Sequence, residues 1–355
     1  MKTTRALAEL GQSLWLDNIT RPMLDSGTLA RYIDELDVTG LTSNPTIYDK
    51  AIGGSDAYDA QISEASRAGA SGEDTFFELA LADLRRAADL FRPVHDRTAG
   101  VDGFVSLEVS PLLAYDTAAT VGQAKRLHGK GDRPNLFIKI PGTPEGLPAI
   151  EEAIFAGVPV NVTLLFSPAQ YVAAAEAYIR GIERRVAAGL PADVASVASL
   201  FVSRWEAATV EQLPAGLQNR MGLAIGRQCY VAYRECFATG RWQALAGKGA
   251  RPQRLLFAST GTKDPSLPPT MYITGLAAPA TVNTMPEDTL LATAASEEPV
   301  TALDPEAGDQ LAPFTAAGVD VDAVAGELQR KGAEAFVGSW TSLLERILGK
   351  VATLA

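Results

Sequence analysis

The strongest constraint on the fold of this chain is an alternation that runs through most of its length. Short runs rich in β-branched and aromatic residues are each followed by a stretch of helical periodicity. The runs fall at residues 14–17, 38–43, 104–109, 136–140, 159–166, 194–202, 255–259 and 271–274. Eight strands interleaved with helices is the pattern of a closed parallel barrel, the α/β architecture called the (β/α)8 or TIM barrel. An open doubly wound sheet would carry a glycine-rich turn after its first strand, and no G-x-G-x-x-G occurs there. Barrels run as single domains well above ordinary domain length, so residues 1–355 read as one domain.

Several helix boundaries are written in the sequence. Thr143-Pro144 offers an N-cap followed by proline at the first helical position; Leu147, Ile150 and Ile154 recur on one face, and Gly157 ends the helix. Ser167-Pro168 repeats the device, with Tyr171, Ala175, Tyr178 and Ile182 inward and Gly189 as the stop. Asp116 caps a helix to His128, closed by Gly129, and residues 75–91 show the spacing of a core-packing helix. Residues 292–318, small, acidic and interrupted by Pro299, Pro305 and Pro313, read as an irregular loop. Residues 321–350 carry the additional terminal helices, in two patterns at 321–331 and 333–350.

Composition excludes some functions. Hydrophobic residues are 47% and charged residues 21%, which fits a globular protein with a large core. A formal net charge of −11 opposes binding to nucleic acid or an anionic membrane, so an anionic substrate needs a local basic pocket. Residues 1–12 lack the apolar stretch of a signal peptide and no membrane-length apolar segment occurs, which predicts a cytoplasmic protein. Cys229 and Cys236 fall on one helix face and read as core thiols rather than a metal or redox motif. His95 and His128, the only histidines, read as solvated surface, and neither a metal nor a cofactor is expected.

In a barrel, functional groups collect at the carboxyl ends of the strands. The polar residues there are Asp17, Asn18, Thr42, Ser43, Asn44, Glu108, Lys139, Asn161, Thr163, Ser199, Arg204 and the run from Ser259 to Lys263. Lys139 closes an apolar run that ends in Pro141-Gly142. Burial disfavours an ammonium ion, and the neutral amine is the nucleophile that condenses with a ketone to give a Schiff base. A lysine whose stem packs at the strand end while its head reaches water or a carboxylate fits the same segment. The surrounding set suits carbonyl chemistry on a phosphorylated sugar: carboxyl groups to shuttle protons, donors for hydroxyls, cations for phosphate. A P-loop is excluded, because Gly249 follows Gly247-Lys248 where Ser or Thr is required.

Trp15-Leu16-Asp17-Asn18, Gly40-Leu41-Thr42-Ser43-Asn44-Pro45-Thr46, Val105-Ser106-Leu107-Glu108-Val109, Phe137-Ile138-Lys139-Ile140-Pro141 and Asn161-Val162-Thr163-Leu164-Leu165-Phe166-Ser167 resemble the transaldolase family in its longer bacterial form. The likeness continues through Ser199-Leu200-Phe201-Val202-Ser203-Arg204 and Ala258-Ser259-Thr260-Gly261-Thr262-Lys263. The resemblance implies a Schiff-base transferase that moves a dihydroxyacetone unit from a ketose phosphate to an aldose phosphate in the non-oxidative pentose phosphate pathway. Sedoheptulose 7-phosphate and glyceraldehyde 3-phosphate would exchange with erythrose 4-phosphate and fructose 6-phosphate. By the family's roles Lys139 forms the imine, Asp17 handles the hydroxyl proton during carbon-carbon cleavage, and Glu108 with Thr163 works through a water during imine formation. Asn44 and Asn161 match groups that hold the donor's hydroxyls, and Ser199 and Arg204 match the phosphate side. Where the shorter form carries Ser-Phe-Arg, this chain has Ser259 to Lys263; Lys263 reads as the substitute cation or as an exposed loop lysine. The resemblance also implies sugar phosphates as the partners and a monomer or homodimer. A simple aldolase using the same lysine, and a non-catalytic scaffold on the same fold, are the competing readings.

Overall fold

The computed structural model describes residues 1–354. Eight parallel strands close into a barrel in chain order: β1 Ser13–Leu16, β2 Val38–Leu41, β3 Val105–Glu108, β4 Leu136–Pro141, β5 Val160–Leu165, β6 Ser196–Phe201, β7 Arg254–Ala258 and β8 Val282–Met285. Every residue of β4, β5 and β6 is buried, because one face meets the barrel interior and the other meets the surrounding helices. The interior is not wholly apolar. Ser199 Oγ donates to Asn161 Oδ1 at 2.7 Å, and Asn161 Nδ2 donates to Ser106 Oγ at 3.1 Å, so a hydrogen-bonded chain crosses from β6 through β5 to β3. Gly40 on β2 permits a close approach: a Cβ there would meet the Trp15 indole at 2.6 Å and the Phe104 carbonyl at 2.7 Å.

The eighth strand is not where the sequence reading put it. Residues Met271–Thr274 form one helical turn, and the barrel closes through Val282–Met285 instead. Strand propensity is context-dependent: the run between Pro268-Pro269 and Gly275 turns into a helix, while Val282–Met285 pairs with both β7 and β1 and so closes the barrel. The helix expected from Thr143-Pro144 begins later, at Gly146–Phe155, with Thr143 Oγ1 accepting from the Gly146 amide in the preceding turn. Ser167 and Asp116 cap their helices as expected, accepting from the amides of Gln170 and Ala119. The helix expected at residues 75–91 is longer, Gly72–Arg97.

The terminal region also differs. Helix Glu287–Ala295 takes the start of the expected loop, a short helix Ala312–Ala316 interrupts it, and the two terminal patterns form one continuous helix, Val321–Leu354. Gly332, which separates the two patterns, serves close packing rather than a break. Cys229 is buried and Cys236 half-buried, both as free thiols. The histidines are half-buried rather than solvated: His95 lies edge-on to Phe104 with ring centres 5.2 Å apart, and burial lowers the pKa of His128. No helix among the described residues is long and apolar enough to cross a membrane.

Candidate active site

Pairing of β3 with β4 sets Glu108 opposite Lys139, and pairing of β4 with β5 sets Lys139 opposite Asn161. The Glu108 and Lys139 side chains are each 5% exposed. Lys139 Nζ donates to the Ser43 carbonyl at 3.0 Å and lies 3.4 Å from Glu108 Oε2. That contact is an ion pair without hydrogen-bond geometry, so both Glu108 oxygens are buried and unpartnered. Burial pushes the Glu108 carboxyl above its usual range, the adjacent ammonium pulls it back, and the charge of Asp17 adds to the rise. Thr163 Oγ1, farther along β5, is likewise buried without a partner. Each buried polar atom that neither water nor substrate satisfies costs about 1–3 kcal/mol, so these atoms favour a polar ligand beside them.

Asp17 follows β1, and its backbone amide continues the ladder by donating to the Met285 carbonyl at 2.8 Å. Thr42 Oγ1 donates to Asp17 Oδ1 at 2.7 Å. Thr42 Oγ1 and Thr284 Oγ1 are also 2.7 Å apart. A hydroxyl has one hydrogen, so Thr284 is the donor in that second contact and the two threonines form a relay onto the carboxylate. Asp17 keeps some exposed surface because it borders the open pocket, while protein packs closely around the rest of its carboxylate. Burial therefore raises its pKa, opposed in turn by the charge of Lys139, the Thr42 hydrogen bond and the charge of Lys263.

Above these groups lies a pocket of about 310 Å³ in which Lys50, Lys139, Arg204 and Lys263 face a single lining carboxylate, Asp17. Arg204 opens the helix Arg204–Thr209 and sets its guanidinium 5.3 Å from the centre of the Phe201 ring. Burial alone lowers its pKa, with no carboxylate to offset it. A desolvated guanidinium without a protein counter-charge is an anion receptor. Ser259, after β7, holds a φ of +55° and brings its Oγ to 2.8 Å from Ser203 Oγ. Lys263 is an exposed loop residue that also borders the pocket. Asn44 Oδ1 accepts from the Ile47 amide at 3.1 Å, capping helix Pro45–Gly53 and leaving its amide nitrogen as the free polar group beside the pocket. Asn161 and Ser199 sit lower, joined to each other inside the barrel; Ser199 still reaches the pocket floor. Among the described residues, no group of three or more His, Cys, Asp or Glu side chains is arranged to hold a metal ion.

Residues 14–347, essentially the whole barrel and most of the terminal helix, match the family described as transaldolase/fructose-6-phosphate aldolase. The chain belongs to the transaldolase/fructose-6-phosphate aldolase family. A transaldolase of Acidothermus cellulolyticus is 47% identical over 96% of this chain and 95% of its own length. Relatives named transaldolase from Thermobifida fusca and Thiobacillus denitrificans are 45% and 44% identical, each over 98% of this chain, and are covered over 97% and 100% of their lengths.

The structure of this transaldolase-family chain brings Asp17, Asn44, Lys139, Thr163, Ser199, Arg204, Ser259 and Lys263 to one pocket, with Glu108 and Asn161 packed below it. Several other pocket residues escaped the sequence reading. Thr284 was missed because the eighth strand was misplaced; the run Thr281-Val282-Asn283-Thr284 carries the strand composition that could have found it. Lys50 and Phe336 line the pocket from helices, which strand-end reasoning does not examine. A larger cavity of about 400 Å³ opens at the other end of the barrel, beside Ser13, Ser196 and Arg254 at the strand amino termini. Size does not locate the chemistry here; the relay onto Asp17 and the uncompensated Arg204 belong to the smaller pocket, and the buried Lys139–Glu108 ion pair lies directly beneath it.

Proposed function

We propose that this chain is a transaldolase whose Lys139 carries the transferred dihydroxyacetone unit as a Schiff base. The observation that carries the reading is the buried Lys139–Glu108 pair beneath a pocket rich in cations. Glu108, raised by burial, is poised to accept a proton from the Lys139 ammonium and so release the amine that attacks the C2 ketone of the donor. The same carboxyl, with Thr163 beside it, returns protons as the carbinolamine loses water and the iminium forms. Asp17 as carboxylate then removes the C4 hydroxyl proton, the C3–C4 bond breaks into an aldehyde and an enamine, and the protonated imine accepts the electron pair. The aldose phosphate departs, a second aldehyde enters, and the steps reverse. Arg204, Ser259 and Lys263 grip the phosphate, while Asn44 and Asn161 orient the hydroxyls of the bound chain; Ser199, expected on the phosphate side, is hydrogen-bonded to Asn161 and is read here with the hydroxyl-binding groups instead. Sugar phosphates are soluble metabolites, which fits a cytoplasmic enzyme of the pentose phosphate pathway acting as a monomer or homodimer.

A transfer assay distinguishes this function from that of a simple aldolase. With fructose 6-phosphate as donor and erythrose 4-phosphate as acceptor, sedoheptulose 7-phosphate and glyceraldehyde 3-phosphate should form together, with little free dihydroxyacetone. Stoichiometric release of dihydroxyacetone whether or not acceptor is present would assign the chain to the aldolase branch of its family.

A further inference from the structure

The terminal helix Val321–Leu354 packs on helix Pro45–Gly53 and against β5. Gln329, buried on this helix, donates its amide hydrogens to the Gly142 and Leu164 carbonyls, each at 2.9 Å. Gly142 directly follows β4, and Leu164 directly follows Thr163 on β5. The Gly142 amide in turn donates to the Thr163 carbonyl at 2.7 Å, so Gln329 closes a bridge between the two strands around Thr163. Leu164 holds a φ of +60°, a left-handed conformation that leucine rarely adopts, and the β5–β6 register shifts between Val162 and Leu165. Such a bulge leaves a residue out of the ladder, and Gln329 supplies the donor for the Leu164 carbonyl.

The same helix face continues toward the pocket. A Cβ at Gly332 would come within 3.0 Å of Leu164 Cδ2 and 3.2 Å of Arg204 Nη1, so the absence of a side chain lets the helix sit this close. Phe336, one turn further, lines the pocket itself. Thr163 has no side-chain partner, and its hydroxyl is aimed by the backbone alone.

We propose that Gln329 is a positioning residue for imine formation: its paired donation holds the β5 bulge so that Thr163 faces the Lys139–Glu108 pair. The proposal rests on the reading of Lys139 as the Schiff-base lysine. Gln329→Met keeps length and burial but removes both donors, and Gln329→Glu keeps the shape while setting carboxyl oxygens against two carbonyls. In single-turnover mixing with fructose 6-phosphate followed by borohydride quench, both variants should form the Lys139 adduct about 10–100-fold more slowly than the parent protein, the loss expected from two hydrogen bonds. The kcat should fall in parallel while KM for fructose 6-phosphate stays near the parent value, because Arg204 is untouched. A glutamine with only a structural role would lower the unfolding temperature yet leave the adduct rate of the folded protein unchanged, and that result overturns the proposal. If neither variant folds, Gly332→Ala, whose Cβ would press on Leu164 and also on Arg204, is read at saturating fructose 6-phosphate, where a weakened phosphate grip is masked; slower adduct formation there supports the proposal and a parent rate overturns it. Failure of the parent itself to form a Lys139 adduct defeats the Schiff-base reading, an outcome separate from parent-like behaviour in the variants.

Discussion

Asp17 and Glu108 both feel the charge of Lys139 and are both raised by burial, but they are differently supplied with partners. Asp17 receives the threonine relay, which suits a carboxylate that must be ionised when it takes the C4 hydroxyl proton. Asp17→Ala should still trap donor on Lys139, while turnover falls on the order of 10²–10⁴-fold; parent turnover would return Asp17 to a structural role. The raised pKa sets the sign of two pH effects. As a base Asp17 works only when ionised, so kcat/KM should fall as pH drops through a value above the ordinary 3.8. A carboxyl raised in the folded state stabilises it only below the unfolded pKa and loses that contribution as pH rises through the folded value. Asp17→Asn should therefore unfold at a higher temperature than the parent at pH 7, with the gain vanishing in acid; thermal melts across pH read this directly. At the phosphate, Lys263→Ala should weaken use of phosphorylated donors about tenfold, the size of one lost charge-assisted hydrogen bond, and spare unphosphorylated ketoses. Equal effects on both donor classes would leave the phosphate to Arg204 and Ser259. Asp17 and Glu108 are legible because each stands at or just past the end of a recognisable strand, and the Asn44-Pro45 cap is written in the same device as Ser167-Pro168; that Asn44 also borders the pocket is not written there.

At the scale of elements, seven strands were legible because apolar runs flanked by turn residues identify buried parallel strands without reference to the rest of the chain. The eighth failed because two short runs competed, and only closure against β1 chooses between them. The terminal helix was legible as helix but not as one piece: a glycine inside a periodic pattern reads as a stop until the close approach of Leu164 and Arg204 is known. Long-range ties of this kind also hold the lower elements. Arg21 Nε donates to Asp83 Oδ1 at 2.8 Å, joining the short helix Arg21–Asp25 to the helix Gly72–Arg97, and the Asp83 side chain is 0% exposed. Asp83→Ala removes the arginine's counter-charge but leaves its bonds to Gln61 and Ala57, and should destabilise the fold by about 1–3 kcal/mol, measured by denaturant unfolding. A change within experimental error would mean that water reaches the pair.

Over the whole molecule, a net charge of −11 coexists with a mouth where cations dominate. The acidic exterior repels a sugar phosphate in general, while Lys50, Arg204 and Lys263 at the mouth, outnumbering its single carboxylate, attract it in particular. In the proposed mechanism an iminium on Lys139 is the electron sink for cleavage, which would remove the need for a Lewis acid. Activity should survive dialysis against a chelator, and a loss restored by zinc or magnesium would contradict the imine mechanism. Borohydride reduction in the presence of fructose 6-phosphate, followed by peptide mass spectrometry, reads the covalent bond at Lys139 itself. A Schiff base there predicts a reduced dihydroxyacetone adduct on the peptide containing Lys139, absent in an inactive Lys139→Ala protein. An adduct on Lys50, Lys263 or any other lysine, with activity intact in Lys139→Ala, would contradict it.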